Sequence, residues 1–230
     1  MKTIGMLGGM SWESTCHYYQ HVNKLVNTAL GGLHCAKIAM VNVDFDEIAA
    51  LQHQGDWQAT ADILIKHAQC VEAAGADFLL ICTNTMHKVA DDISQAISIP
   101  LLHIADATGA ALNVDKIENI GLLATRFTME EDFYKVRLQN AFGINVIIPD
   151  EKDRQTIHHV IYEELCHGIV NESSRAAYLE IINRLVKQGA QAIILGCTEI
   201  SMLVNESHTE IPLYDTTLIH AQAAVKEALK

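Results

Sequence analysis

The sequence predicts an α/β protein of two pseudo-symmetric lobes, each built on a parallel sheet, with a candidate active site in the cleft between them. Two observations predict this. Short apolar runs alternate with longer segments of helical periodicity, the pattern of parallel strands covered by helices on both faces. The chain also nearly repeats itself. Gly75-Ala76-Asp77-Phe78-Leu79-Leu80-Ile81-Cys82-Thr83-Asn84-Thr85 aligns without a gap on Gly189-Ala190-Gln191-Ala192-Ile193-Ile194-Leu195-Gly196-Cys197-Thr198-Glu199. On either side, Ile4-Gly5-Met6-Leu7 recurs as Ile120-Gly121-Leu122-Leu123, and Ile99-Pro100-Leu101-Leu102 as Ile211-Pro212-Leu213-Tyr214, so the offset drifts only from 116 to 112. Three matches in register indicate two copies of one unit: a first lobe of residues 1–104 plus 214–230 and a second of 105–213.

The elements follow in order. Thr3 to Leu7 reads as the first strand and runs into a Gly8-Gly9-Met10-Ser11 turn; Lys37 to Asn42 is the second. Trp57 to Gly75 has helical spacing, with Ile63, Ala68, Val71 and Ala74 on one face and Gly75 as the stop. Phe78 to Cys82 is the third strand, ending at Thr83-Asn84-Thr85, and Leu101 to His103 a short fourth. The second copy supplies strands at Ile120 to Ala124, Ile144 to Ile148, Ala192 to Leu195 and Leu213 to Tyr214, with a helix over Ala176 to Gly189. In such sheets ligands bind at the carboxyl ends of strands, which here carry Thr83, Asn84 and Thr85 in one copy and Cys197, Thr198 and Glu199 in the other.

Composition excludes several classes of function. With 230 residues, half of them apolar, the chain can bury a sizeable core. A formal net charge of −12 and the absence of basic runs argue against nucleic acid and anionic membrane as partners. No apolar stretch approaches the roughly 20 residues of a membrane span. The N-terminus lacks a signal-peptide cleavage site, so a cytoplasmic protein is expected. The six cysteines form no C-x-x-C pair and read as reduced thiols. His158, His159 and His167 lack a convincing ligand set, so no metal is expected. The Gly8-Gly9 turn lacks dinucleotide spacing, and no P-loop is present.

A cysteine between a strand and a helix has its thiolate stabilised by the helix N-terminus, which lowers a pKa that starts near 8.5. Cys197 is therefore a candidate base or nucleophile, against the plainer reading of a small buried residue at a tight junction. Asn84, Thr85, Thr198 and Glu199 suit helix capping, and backbone N–H groups at the same helix starts suit a carboxylate. Met10, Trp12 and Trp57 read as core or cleft lining.

Three segments carry a family resemblance: Met6-Leu7-Gly8-Gly9-Met10-Ser11-Trp12-Glu13-Ser14-Thr15, Thr83-Asn84-Thr85-Met86-His87 and Gly196-Cys197-Thr198-Glu199. Over its whole length the chain resembles the aspartate/glutamate racemase superfamily, in its aspartate racemase branch. The resemblance implies two α/β lobes, a dimer, and a cofactor-independent amino-acid racemase in which one thiolate removes the α-proton and an opposing thiol returns one. Cys197 is then catalytic, and Met10, Gln52, Asn84, Thr85, Thr198 and Glu199 bind the amino-acid substrate; Gln52 is expected in a loop after the second strand.

The chain departs from the family pattern where a cysteine directly precedes Asn-Thr. That position is Thr83, with Cys82 one residue earlier, and the internal repeat also pairs Thr83 with Cys197 and Cys82 with Gly196. Adjacent strand residues face opposite ways, so Thr83 is the second catalytic candidate and Cys82 its alternative. A threonine hydroxyl is too weak an acid to cycle as a free base and needs help from His87 or a water. The lysine that aspartate racemases carry for the side-chain carboxylate falls near Cys166, leaving Arg126 as a cationic candidate. Maleate isomerases and arylmalonate decarboxylases of the same superfamily, and a non-catalytic carboxylate-binding protein, are the alternatives.

Overall fold

The computed structural model describes residues Met1–Lys230. The chain forms two compact units: residues Met1–Ile104 with His220–Lys230, and residues Ala105–Ile219. The first unit opens with β1 (Ile4–Gly8) and α1 (Trp12–Leu30). Ser11 caps α1 by accepting from Ser14 N at 3.3 Å, and Tyr18, Val22 and Val26, spaced four apart, form its buried face. There follow β2 (Ile38–Asn42), α2 (Phe45–Gln54), α3 (Trp57–Ala73), β3 (Phe78–Ile81), a 3₁₀ turn (Thr85–Val89) and α4 (Ala90–Ala96). The strands lie parallel in the order β2-β1-β3.

Helices cover both faces of the sheet over β1 and β3, which is why those strands are continuously apolar and buried, while the edge strand β2 is partly exposed. Leu7, Leu79 and Ile81 pack with Ile48 of α2, Leu64, Ala68 and Val71 of α3, and Ile93 of α4. Ile4, Met6, Phe78, Leu80 and Cys82 pack on the other face with Tyr18, Val22 and Val26 of α1 and with Ala221, Ala224 and Val225.

The second unit contains α5 (Ile104–Val114, from Ala105 onward), β4 (Asn119–Leu123), α6 (Arg126–Glu130), α7 (Asp132–Phe142), β5 (Asn145–Ile147), α8 (Glu151–Glu163), a 3₁₀ turn (Leu165–His167) and α9 (Glu172–Lys187). It continues with β6 (Ala192–Leu195), α10 (Ile200–Leu203), β7 (Leu213–Asp215) and α11 (Thr216–Ala228), whose residues from His220 onward belong to the first unit. Its parallel strands run β5-β4-β6-β7.

The repeat is present bond for bond. Asp77 N donates to Thr3 O and Gln191 N to Asn119 O, both at 2.9 Å; Leu79 N donates to Pro100 O and Ile193 N to Pro212 O, again at 2.9 Å. Cys82 N donates to Leu7 O at 2.9 Å and Gly196 N to Leu123 O at 2.7 Å. The helices before β3 and β6 both stop at a glycine with positive φ, Gly75 at 90° and Gly189 at 102°.

Three expectations need correction. Leu101 to His103 is not a strand: Leu101 makes a single bridge to Leu79, and α5 begins at Ile104, leaving no length for a ladder. In α3 the inward face is Thr60, Ala61, Leu64, Ala68 and Val71; Ile63 is only half-buried and Ala74 is exposed at the C-cap. The return to the first unit comes at His220 instead of Tyr214, because β7 stays paired with β6.

Candidate active site

At the end of β1, Gly9 has φ 97°, and a Cβ there would collide with the Val43 carbonyl oxygen and lie 2.6 Å from Val43 N, so only glycine fits. Its N–H is taken by Thr15 Oγ1 at 2.8 Å, and Thr15 Oγ1 donates to Ser11 O at 2.9 Å. The turn thus satisfies itself internally. Met10 is buried in the apolar cluster over β1 and β3, while Trp12 is largely exposed.

Just beyond the end of β3, Cys82 and Thr83 differ in burial. Cys82 lies in the core between β3, α1 and α11, and burial pushes its thiol far above the ordinary range. Ser14 Oγ donates to its carbonyl at 2.9 Å and fixes the strand end against α1. Thr83 is half-buried, followed by buried Asn84 and Thr85. Asn84 stands at the start of the 3₁₀ turn without capping it through its side chain. Gln52 is buried in the last turn of α2, not in a loop, with Nε2 3.8 Å from Met86 Sδ.

His87 does not reach the Thr83 hydroxyl as a helper. Its Nδ1 is 2.8 Å from Thr83 O, and its Nε2 is 3.2 Å from Ile104 N. A carbonyl can only accept and an amide N–H only donate, so the ring is neutral with its proton on Nδ1. Burial, then the nearby His103 and His220 rings, hold His87 well below the usual imidazole range. Its centroid lies 4.4 Å from that of His103 and 5.9 Å from that of His220. His220 accepts at Nδ1 from Tyr18 OH and donates from Nε2 to Leu102 O, both at 2.8 Å, and burial lowers its pKa to about 4. Three buried imidazoles therefore underlie the strand end. Only His87 had been singled out from sequence; His220 is remote in the chain and gives no local signal.

In the second unit the core slot equivalent to Cys82 is Gly196, where a Cβ would meet Leu122 Cδ1 at 2.9 Å and Ala124 Cβ at 3.0 Å. Cys197 follows, half-buried, in the place that Thr83 takes in the first unit. Its thiol donates to Glu199 Oε2 at 2.9 Å, and Thr198 Oγ1 donates to the same oxygen at 2.7 Å. Burial first, then the charge of Glu199, push the Cys197 thiol well above its ordinary value. The expected lowering by a helix N-terminus does not occur: α10 has four residues, too few for a substantial dipole, and a carboxylate stands at its start. The pKa of Tyr162 in α8 is raised by burial first and then by Cys197, Cys166 and Glu199; that of Tyr178 in α9 is raised by burial first and then by Cys197, Glu164 and Cys166, the last lying in the turn between the two helices.

Outside this group, Arg126 is exposed, with Nε 3.9 Å from Glu130 Oε2. His158 Nδ1 accepts from Arg126 N at 3.3 Å, and its ring is tilted by 48° against Tyr162, with centroids 4.6 Å apart. No group of three or more His, Cys, Asp or Glu side chains is arranged to hold a metal ion.

The model of the Asp/Glu/hydantoin racemases matches residues 7–224. The chain belongs to this family. A crystal structure of a candidate Asp/Glu racemase from Yersinia pestis is 53% identical, covers 100% of both chains and superposes with a TM-score of 0.93. An aspartate racemase homologue from Pyrococcus horikoshii is 27% identical with a TM-score of 0.86, again over 100% of both chains. The broad-specificity amino-acid racemase RacX of Bacillus subtilis is 22% identical over 243 residues, 98% of each chain. The segments Thr83-Asn84-Thr85 and Cys197-Thr198-Glu199 lie within the matched residues, each just after the end of a strand, β3 and β6.

Proposed function

We propose that this member of the racemase family interconverts the enantiomers of an amino acid, aspartate or glutamate or a broader set, without a cofactor. The observation that carries the reading is the register of the two copies: Thr83 and Cys197 follow matched backbone bonds from Cys82 N and Gly196 N. In this reading each unit contributes one proton carrier. Cys197 removes or returns the α-proton at one face of Cα; Thr83, relaying through water, serves the other. Asn84, Thr85 and Thr198, all buried at the strand ends, hold the carboxylate and amino groups, and Met10 and Gln52 shape the surroundings of the side chain. Because the carriers differ in acidity, kcat and KM differ together between the two enantiomers, while kcat/KM stays equal in the two directions because the equilibrium constant is one.

A net charge of −12 supports a partner that is neither nucleic acid nor anionic membrane, and no helix is long and apolar enough to cross a membrane. We place the enzyme in the cytoplasm as a homodimer, the latter to be checked by sedimentation. The deciding experiment is incubation with L- and D-aspartate, L- and D-glutamate and neutral amino acids in ²H₂O. Deuterium at Cα with loss of optical rotation is expected. Release of carbon dioxide or cis–trans isomerisation without Cα exchange would give the site to decarboxylase or isomerase chemistry instead.

A further inference from the structure

The sequence places Glu199 among the substrate-binding residues, but its carboxylate is turned onto the thiol: Oε2 accepts from both Cys197 Sγ and Thr198 Oγ1. Glu199 is 3% exposed, and Thr198 is buried beside it. One oxygen receiving two donors from its own strand end is engaged before any substrate arrives.

Resting on the assignment of Cys197 as a proton carrier, we propose that Glu199 is the positioning residue that exchanges a proton with the Cys197 thiol. When sulfur is needed as a base, the S–H bond breaks with its electron pair left on sulfur, and an O–H bond forms at Glu199 Oε2. When the thiol is needed as an acid, the proton moves back. Atoms and charge balance, for the pair carries a single negative charge in both forms. A thiolate generated by loss of a proton to water would instead stand beside the buried Glu199 carboxylate, two like charges at one strand end. Burial and the Glu199 charge, which raise the thiol pKa, describe that expensive route. The remaining titratable groups facing Cys197 are Tyr162 from α8, Tyr178 from α9 and Cys166 from the intervening turn. None carries a positive charge to stabilise a thiolate. Thr198, by binding Oε2 at 2.7 Å, keeps the acceptor in line with the sulfur.

A coupled pair titrates in two macroscopic steps, and between them the fraction with thiolate and protonated carboxyl is independent of pH. Alkylation of Cys197 by iodoacetamide, followed by mass spectrometry of its peptide, reads this directly without any assay of activity. In the parent protein the rate should show a pH-independent plateau across the neutral range. In Glu199→Gln, which keeps the shape and an acceptor oxygen, the plateau should vanish and the rate should climb about tenfold per pH unit until the thiol itself titrates. The same variant should lose about 10²- to 10⁴-fold in kcat with KM unchanged, and Glu199→Asp should recover part of both effects. A thermal melt and circular dichroism establish that the variants are folded. A simple one-step alkylation profile in the parent, or an unchanged plateau in Glu199→Gln, would overturn the proposal, as would a raised KM at unchanged kcat, which assigns Glu199 to substrate. A parent that fails to racemise any amino acid while keeping the plateau removes the racemase reading and leaves the proton pair standing.

Discussion

Acidification should destabilise the first unit through His220. The ring is wholly buried with both nitrogens used, and its folded pKa of about 4 lies below the ordinary imidazole value of 6.5. The unfolded chain therefore binds the proton first. The stability that neutral His220 provides is complete above the unfolded value and is lost as pH falls toward the folded one. Between pH 7.5 and pH 5 the linkage amounts to about 2 kcal/mol, at 1.36 kcal/mol per pKa unit. His220→Gln should be less stable at neutral pH, having lost the Tyr18 bond, but its stability should fall less steeply with acid by about 2 kcal/mol. Both tryptophans, Trp12 and Trp57, lie in the first unit, so their fluorescence during urea unfolding reports on the unit that holds His220. Equal losses in parent and variant between pH 7.5 and pH 5 would refute the argument, showing that the ring's titration is not coupled to unfolding.

Replacing Cys197 by serine should cost at least about 10²- to 10⁴-fold in racemisation, measured by chiral chromatography, because a hydroxyl cannot cycle as the thiol does. Thr83→Ala should slow the reaction as well, while Thr83→Cys should bring the rates from the two enantiomers closer together; equal activity of parent and Thr83→Ala would remove Thr83 from the mechanism. Cys82→Ala, in the core face beneath α1 and α11, should cost about 1 kcal/mol in stability and leave the rates alone, so a dead variant would mean that Cys82 is the second thiol. Gly9→Ala should lower Tm by several degrees, since the new Cβ meets the Val43 backbone and the positive φ disfavours it; a melt within 1–2 °C of the parent's would disprove that crowding.

The repeat was legible because its signal is local and periodic: apolar runs between glycine stops reproduce strands, and an ungapped match of residue types fixes their register. The difference in burial between Cys82 and Thr83 could not be fixed by strand alternation, because β3 ends at Ile81 and both residues follow it. Other features depend on contacts that no spacing encodes. Leu101 looked like a strand because its apolar neighbours match those of β7, yet α5 starts too soon after it. Asn84 and Glu199 carry the residue types of helix caps, but neither caps through its side chain. Glu199 turns back to the thiol instead, and that choice, with burial, reverses the expected direction of the Cys197 pKa. The imidazole layer joins residues from opposite ends of the chain, beyond the reach of any local pattern.

That layer also sets an order of events during synthesis. The second unit is continuous, so everything it needs has been made once Ile219 is in place. The first unit, begun earlier, has no such independence: until residues 220–228 follow, Tyr18 OH and Leu102 O lack their imidazole, and the apolar face of α1 lacks Ala221, Ala224 and Val225. Lys2 N waits likewise for Ala228 O, its partner at 2.8 Å. The half translated first is thus the half completed last, and a nascent chain paused before residue 220 presents an unfinished sheet face to chaperones and proteases.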